Sequence, residues 1–171
     1  MKIRIKNLFS FGTILAAIAL ILSIVSFSLY GANVSGAGYF QGYSSGLVAT
    51  CSSFAIITLI AYIALSIFDF GNGIVSKVLS IVRSACIVVA CICLVASGIT
   101  FIGDRVEGLG YIFFSDSNVL VEVQTADNLS SSYCAIAGTV TYLVGWLFAL
   151  VSSFFHIGSE KHSKAKAAEK A

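Results

Sequence analysis

The stretch SKVLSIVRSACIVVACICLV (residues 76–95) carries one arginine, Arg83, inside a run of residues that is otherwise almost wholly apolar. The uncharged run that follows it, residues 85–103, would form a helix of roughly 28 Å at a rise of 1.5 Å per residue. That length matches the hydrocarbon core of a bilayer, which is about 30 Å thick. The stretch therefore predicts a membrane-spanning helix that is complete without Arg83 and has this arginine at its inner boundary.

Three more runs of the same kind occur, and the predicted spans are residues 9–30, 46–68, 83–103 and 133–156. The composition agrees, because 58% of the 171 residues are hydrophobic and only 11% are charged, against about 25% charged in soluble domains. The sequence predicts an all-α integral membrane protein whose single domain, residues 1–171, is an antiparallel bundle of four transmembrane helices. The extracytoplasmic loops are residues 31–45 and 104–132, and residues 157–171 form a tail.

The first span is expected to remain uncleaved. Its apolar stretch of about 20 residues is longer than the 7–15 residues of a secretory signal's apolar core, although its basic start and the small residues after it resemble such a signal. The chain contains no proline. Since helix-breaking residues mark the interrupted spans of many transporters, the lack of proline favours four continuous helices.

The charges separate by side of the membrane. The N-terminus, the connection between the second and third spans, and the tail hold nine basic and three acidic residues: Lys2, Arg4, Lys6, Lys77, Arg83, Lys161, Lys164, Lys166 and Lys170, with Asp69, Glu160 and Glu169. The loop 104–132 holds five acidic residues and one basic residue: Asp104, Glu107, Asp116, Glu122 and Asp127, with Arg105. Because basic residues in short loops stay on the cytoplasmic side, both termini are predicted to be cytoplasmic. We expect the plasma or cell membrane as location, anionic lipids on its cytoplasmic side as partners, and no nucleic acid.

Arg83 belongs to a small group of polar residues near the inner membrane surface. The segment before it is amphipathic, with Lys77 on its polar face, and can lie among the lipid headgroups. In one interpretation, Arg83 and Lys77 anchor the chain by extending their side chains to lipid phosphates. In the other, Arg83 faces the neighbouring helices and meets Asp69 or His156 at the cytoplasmic mouth of the bundle. The sequence leaves both interpretations open.

Small residues recur in three spans at alternating steps of four and three. They are Gly12, Ala16, Ala19, Ser23 and Ser26 in the first span, Cys86, Ala90, Cys93, Ser97 and Thr100 in the third, and Gly138, Thr141, Gly145, Ala149 and Ser152 in the fourth. This spacing keeps one helix face toward a neighbour. Small residues let membrane helices approach closely, so the pattern predicts packing faces, with a polar pore as the alternative.

The second outer loop shows the alternation that is typical of a strand. Val119, Val121 and Val123 alternate with polar residues, and residues 110–114 are expected to pair with them across a turn as a small β-like element. An exposed strand edge can recruit a partner. The predicted partner surface is therefore formed by five side chains: Tyr111, Phe113, Val119, Val121 and Val123. A lid over the helices is the alternative.

The residues that usually carry catalysis or bind metals are sparse. Five cysteines, Cys51, Cys86, Cys91, Cys93 and Cys134, do not form a disulfide framework, although Cys51 and Cys134 could meet at the outer ends of two spans. The pair Cys91 and Cys93 lacks the Cys-x-x-Cys spacing of membrane thiol oxidoreductases. We therefore expect neither an enzyme nor a cofactor or metal site. Asn33 and Asn128 each begin a glycosylation sequon on the predicted outer side.

The topology of four spans with both termini inside resembles that of claudin-like and MARVEL-type tetraspan proteins. The likeness is one of topology alone, because the first outer loop lacks the tryptophan and paired cysteines of the claudin pattern. The function expected from the sequence is that of a non-catalytic membrane organiser or accessory subunit. Its partner would be another membrane protein or a second copy of the chain. The alternative is a small channel or transporter component.

Overall fold

The computed structural model describes residues 2–3, 10–69 and 74–168, with side chains for residues 10–68 and 74–155. Within these residues the chain is built from six helices and two short strands. The elements are β1 (Lys2–Ile3), α1 (Phe11–Ser35), α2 (Gly46–Ile67), β2 (Phe68–Asp69), α3 (Ile74–Gly103), α4 (Val106–Phe114), α5 (Ser117–Val123) and α6 (Ala126–Ala168).

Four of the helices are long and apolar enough to cross a membrane: α1, α2, α3 and the part of α6 up to Phe155. This confirms the prediction of an all-helical fold with four helices that could span a membrane. The bounds differ most at α3 and α6, which begin at Ile74 and Ala126 rather than at residues 83 and 133. In α3, which has 30 residues, the amphipathic lead-in continues directly into the span. At 1.5 Å per residue α3 is about 45 Å long, more than the hydrocarbon core requires.

The closest packing joins α1 and α6, and in each of these helices buried residues recur at seven positions spaced by four and three. They are Gly12, Ala16, Ala19, Ser23, Ser26, Tyr30 and Asn33 in α1, and Ser131, Ala135, Gly138, Tyr142, Gly145, Ala149 and Ser152 in α6. At one end of this seam, Ser152 Oγ donates to the Gly12 carbonyl at 2.7 Å. At the other, Asn33 Nδ2 donates to the Ser131 carbonyl at 2.8 Å. The five small residues predicted for the first span are all buried. In the fourth span the buried face includes Tyr142, whereas the predicted residue, Thr141, is only partly buried.

The second pair of closely packed helices is α2 and α3, and α3 also packs on α6. The face of α3 that is buried consists of Ile87, Ala90, Leu94, Ser97, Gly98 and Phe101. Ala90 and Ser97 therefore belong to the packed face as predicted. Cys86, Cys93 and Thr100 are only partly buried, because larger apolar side chains such as Leu94 and Phe101 fill the space between the helices.

A hydroxyl cluster lies between α2, α3 and α6. Ser52 Oγ donates to the Val48 carbonyl at 2.6 Å and lies 3.3 Å from Ser97 Oγ, and the Tyr142 hydroxyl lies 2.6 Å from Ser52 Oγ. All buried side-chain nitrogen and oxygen atoms among the described residues have a hydrogen-bond partner. That matters in a membrane, where no water is present to satisfy an unpaired polar group.

The second outer loop is helical, so the predicted β-like element is wrong. Residues 110–114 lie in α4, and Val119, Val121 and Val123 lie in α5. Side-chain amides stabilise this conformation, because Gln124 Nε2 donates to the Ile112 carbonyl at 3.0 Å and Asn128 Nδ2 donates to the Val123 carbonyl at 2.7 Å. Both carbonyls lie in the last turn of a helix, where carbonyl oxygens have no donor from the helix itself.

The short strands join two segments that are far apart in sequence. β1 pairs antiparallel with β2, in the register Lys2 with Asp69 and Ile3 with Phe68. The N-terminus and the connection that follows α2 therefore lie side by side. Two of the segments that the charge pattern assigned to one side of the membrane are thus in contact.

Candidate functional site: the Arg105 cluster

The described part of the chain has one buried charged side chain, that of Arg105, which is only 2% exposed. It lies between the end of α3 and the start of α4. Arg105 Nε donates to Asn33 Oδ1 at 2.9 Å, Nη1 donates to the Asp104 carbonyl at 3.4 Å, and Nη2 donates to the Tyr43 carbonyl. The guanidinium therefore connects the end of α1, the first outer loop and the end of α3. We call Arg105, Asn33, Tyr43 and Ser131 the Arg105 cluster.

Asn33 extends the cluster to α6. Its Oδ1 accepts from Arg105, while its Nδ2 donates to the carbonyl of Ser131 at 2.8 Å and lies 3.2 Å from Ser131 Oγ. An amide can do this because it carries both a donor and an acceptor. Asn33 is fully buried, so its amide is committed to positioning Arg105 against α6.

Two aromatic rings complete the surroundings of the guanidinium. Its carbon atom Cζ lies 5.1 Å from the centroid of Phe40 and 5.7 Å from that of Phe101. A cation within about 6 Å of a ring centroid is attracted by the ring's negative face. The positive charge is therefore stabilised by rings and neutral oxygen atoms.

The first outer loop folds onto the second through two glycines. Gly38 has a φ of +143°, and a Cβ atom there would come within 2.7 Å of the Asp127 carbonyl oxygen. A Cβ atom on Gly108 would come within 2.5 Å of the Phe40 ring and 2.6 Å of the Tyr39 ring. The absence of side chains at these two positions lets Phe40 reach the Arg105 cluster, where it is buried.

Burial lowers the pKa of Arg105 from its ordinary value of 12.5, and the nearby Asp104 carboxylate opposes this shift. An arginine with a lowered pKa still carries its proton near neutral pH. The pKa of Arg105 is therefore lower in the folded state than in the unfolded chain. The folded state gains stability from deprotonation of Arg105 only when the pH rises above the folded-state pKa, toward the pKa of a free guanidinium group. Arg105 therefore stays positively charged throughout the physiological pH range.

The chemistry that the cluster can supply is hydrogen bonding and charge. It holds two outer loops and three long helices in a fixed arrangement at one end of the molecule. The described residues include no group of three or more histidine, cysteine, aspartate or glutamate side chains able to hold a metal ion. All five cysteines are free, so Cys51 and Cys134 are not paired.

The inner polar group predicted from the sequence is only partly described. Lys77 is exposed and Arg83 is partly buried, while the side chains of Asp69 and His156 lie outside the described residues. Both interpretations of Arg83, as a lipid anchor and as part of the cytoplasmic mouth, stay predictions.

Substitution of Arg83 distinguishes these interpretations. For an anchor, Arg83→Lys should leave the thermal stability in detergent unchanged, and Arg83→Leu should lower the free energy of unfolding by only about 1 kcal/mol. For a buried pair with Asp69, Arg83→Leu should cost about 3–5 kcal/mol. We expect the small effect. A large loss that is recovered in the double variant with Asp69→Leu would instead place Arg83 at the mouth.

The predicted partner surface is divided by the helical conformation of the second outer loop. Val121 is 84% exposed and Tyr111 is 46% exposed, whereas Phe113, Val119 and Val123 are partly buried. The alternation of a strand would place the three valines on one face, but in a helix successive odd positions rotate away from each other. Phe114, at the end of α4, is 87% exposed and was not predicted.

Arg105 was also missed, because the charge count assigned it to a solvated loop. One signal in the sequence could have identified its surroundings. The steps of four and three that run through Gly12 and Ser26 continue to Tyr30 and Asn33, which places a polar amide on the packed face at the outer end of α1. Such a residue requires a polar partner. The only basic residue of the two outer loops was the natural candidate.

Comparisons of the chain with protein-family models, with curated proteins and with solved structures gave no match.

Proposed function

We propose that this chain is a non-catalytic membrane organiser or accessory subunit, built as an antiparallel four-helix bundle. It would hold its second outer loop and its helix faces in position for another membrane protein or for a second copy of the chain. The observation that carries this proposal is the combination of a fixed outer end with exposed apolar side chains upon it. The Arg105 cluster fixes the end, and Phe114 and Val121 project from it.

The exposed side chains belong to two short helices, α4 and α5. α4 and α5 connect the outer ends of α3 and α6, and Ile112 is the side chain of α4 that packs inward. Phe114 and Val121 are 87% and 84% exposed. Exposed apolar side chains of this size favour contact with a protein or a membrane over contact with water. We therefore propose that Tyr111, Phe114 and Val121 form the partner-binding surface.

A capture experiment tests this surface. The double variant Phe114→Ser with Val121→Ser is expected to fold normally, because neither side chain is packed, and to lose its partner. Photo-crosslinking from position 111 in cells, followed by identification of the adduct, measures capture. The matched control is Ile74→Ser, which changes a side chain that is 81% exposed at the other end of the molecule. An equal adduct yield in the double variant would move the interaction to the helix faces.

The orientation proposed for the chain has both termini in the cytoplasm, with lipid phosphates as partners of the basic residues there. The pairing of β1 with β2 supports placing the N-terminus beside the connection that follows α2. A reporter that is active only in the cytoplasm, fused after Ala171, is expected to be active, and one fused within residues 115–118 inactive. The opposite pattern would invert the proposed topology.

A channel or transporter component is the second candidate, because the hydroxyl cluster of Ser52, Ser97 and Tyr142 places polar groups between the helices. Transport pathways need such groups within the membrane. The organiser is favoured because these hydroxyls already bond to one another and to the Val48 carbonyl. Ion flux into vesicles that contain the purified chain, and its loss in Tyr142→Phe, would favour the second candidate.

A further inference from the structure

A groove with a volume of about 550 Å³ lies between the outer halves of α1 and α2. Phe27, Gly31 and Val34 line it on α1, and Gly46 and Ala49 line it on α2. These two helices share fewer contacts than the other packed pairs of spans. They are joined at their outer ends by Tyr30, whose hydroxyl donates to the Ser45 carbonyl at 3.0 Å and accepts from the Ser45 amide at 2.6 Å.

Two glycines, Gly31 and Gly46, border this groove, and no contact within the chain requires glycine at either position. A Cβ atom added to Gly31 or Gly46 would meet nothing within 4 Å. Neither glycine has the positive φ that would require this residue type, since the positive-φ glycines are Gly38 and Gly42. Gly31 lies inside α1, where glycine costs about 1 kcal/mol relative to alanine. The empty space at these positions therefore suits an occupant from outside the chain.

The groove has the polarity of a phospholipid in the outer leaflet. Its lining is mostly apolar and carries no charged residue. The hydroxyl-bearing residues of the lining are Ser28 and Tyr30 on α1, and Ser44 and Ser45 at the end nearest the first outer loop. The Arg105 guanidinium bonds to the carbonyl of Tyr43, the residue next to Ser44, which places a positive charge behind this end. An acyl chain would contact the walls, and ester and phosphate oxygens would meet the hydroxyls.

The size of the groove suits a small ligand such as part of a lipid chain. From Phe27 to Val34 the groove follows α1 for roughly 10 Å. Its volume of about 550 Å³ is in the range of about 300–1,000 Å³ that small-molecule sites occupy. We propose that the groove binds the upper part of one acyl chain of an outer-leaflet phospholipid, with the lipid's ester and phosphate region at Ser44 and Ser45.

Photolabelling in a defined bilayer tests this site independently of the organiser role. The full chain is reconstituted in phosphatidylcholine that contains a trace of phosphatidylcholine with a diazirine in the upper part of one acyl chain. Labelled residues are then mapped by mass spectrometry. In the unmodified chain, labelling is expected to concentrate on residues 27–49. In Gly31→Leu it should fall about tenfold there, which corresponds to 1.4 kcal/mol of binding free energy.

Gly103→Leu is the matched control, because it adds the same side chain at the outer end of α3, where a Cβ atom also meets nothing within 4 Å. It should leave the labelling of residues 27–49 unchanged. Gly46→Leu fills the groove from the other wall and replaces Gly31→Leu if that variant does not fold. Equal labelling of all lipid-facing helices, or labelling that both groove variants retain, would overturn the proposal. So would a protein–protein adduct formed in the same bilayer from a photo-crosslinking residue at position 31.

Discussion

Replacement of Arg105 by alanine is expected to lower the free energy of unfolding by about 3–5 kcal/mol. The variant leaves Asn33 Oδ1 and the Tyr43 carbonyl without their donor. Asn33 is fully buried, and a buried polar group without a partner costs about 1–3 kcal/mol. It also removes the contacts of the guanidinium with the Phe40 and Phe101 rings, which contribute about 0.5–2 kcal/mol each. Removal of the buried charge itself recovers part of this loss. Chemical unfolding in a mild detergent measures the balance.

Two further variants show whether the geometry of the guanidinium matters. Arg105→Lys keeps the charge, but one ammonium group cannot reproduce the forked bonds to Asn33 and Tyr43, and a loss of about 1–2 kcal/mol is expected. Lys77→Ala is the control, since it truncates a basic side chain that is exposed in the structure. Proteolysis in the first outer loop should become faster in Arg105→Ala alone. Stability equal to that of the control would mean that the outer end is held by its aromatic packing instead.

The sequence predicts the four spans well, because apolar length is a property of composition that no tertiary contact can override in a membrane. It also predicts the packed face of α1, where all five expected small residues are buried. The ends of the spans were less predictable. α3 begins at Ile74 rather than at Arg83, since a helix that leaves the hydrocarbon core has no reason to stop at its boundary.

The outer loops were predicted poorly for a different reason. The alternation of Val119, Val121 and Val123 covers only five residues, and over so short a segment a helix can expose Val121 while it packs the other two valines. The bonds that decide the outcome come from Gln124 and Asn128, which lie outside the alternating segment. The Arg105 cluster likewise joins residues from four separate segments, and its existence depends on how the helices are arranged.

Gly145→Leu is expected to have the second large effect, a loss of more than about 3 kcal/mol or failure to fold. Gly145 lies in the middle of the seam between α1 and α6. A Cβ atom there would already come within 3.3 Å of the Leu22 Cβ atom and 3.7 Å of the Ala19 carbonyl oxygen. These neighbours belong to the backbone and to the base of a side chain, which cannot rotate away. A leucine must therefore push the two helices apart.

The separation would also break contacts at both ends of the seam. Ser152 would lose its bond to the Gly12 carbonyl, and Asn33 would lose its bonds to Ser131. In a membrane these groups have no water to replace the lost partner.

Gly145→Ala, which adds the single tight contact, is expected to cost about 1–2 kcal/mol and to fold, so that the effect can be measured by unfolding in detergent. Gly103→Leu adds a leucine in open space and should change stability by less than about 0.5 kcal/mol. If Gly145→Leu were as stable as Gly103→Leu, α1 and α6 could not pack along this face, and the burial of all fourteen seam residues would need another explanation.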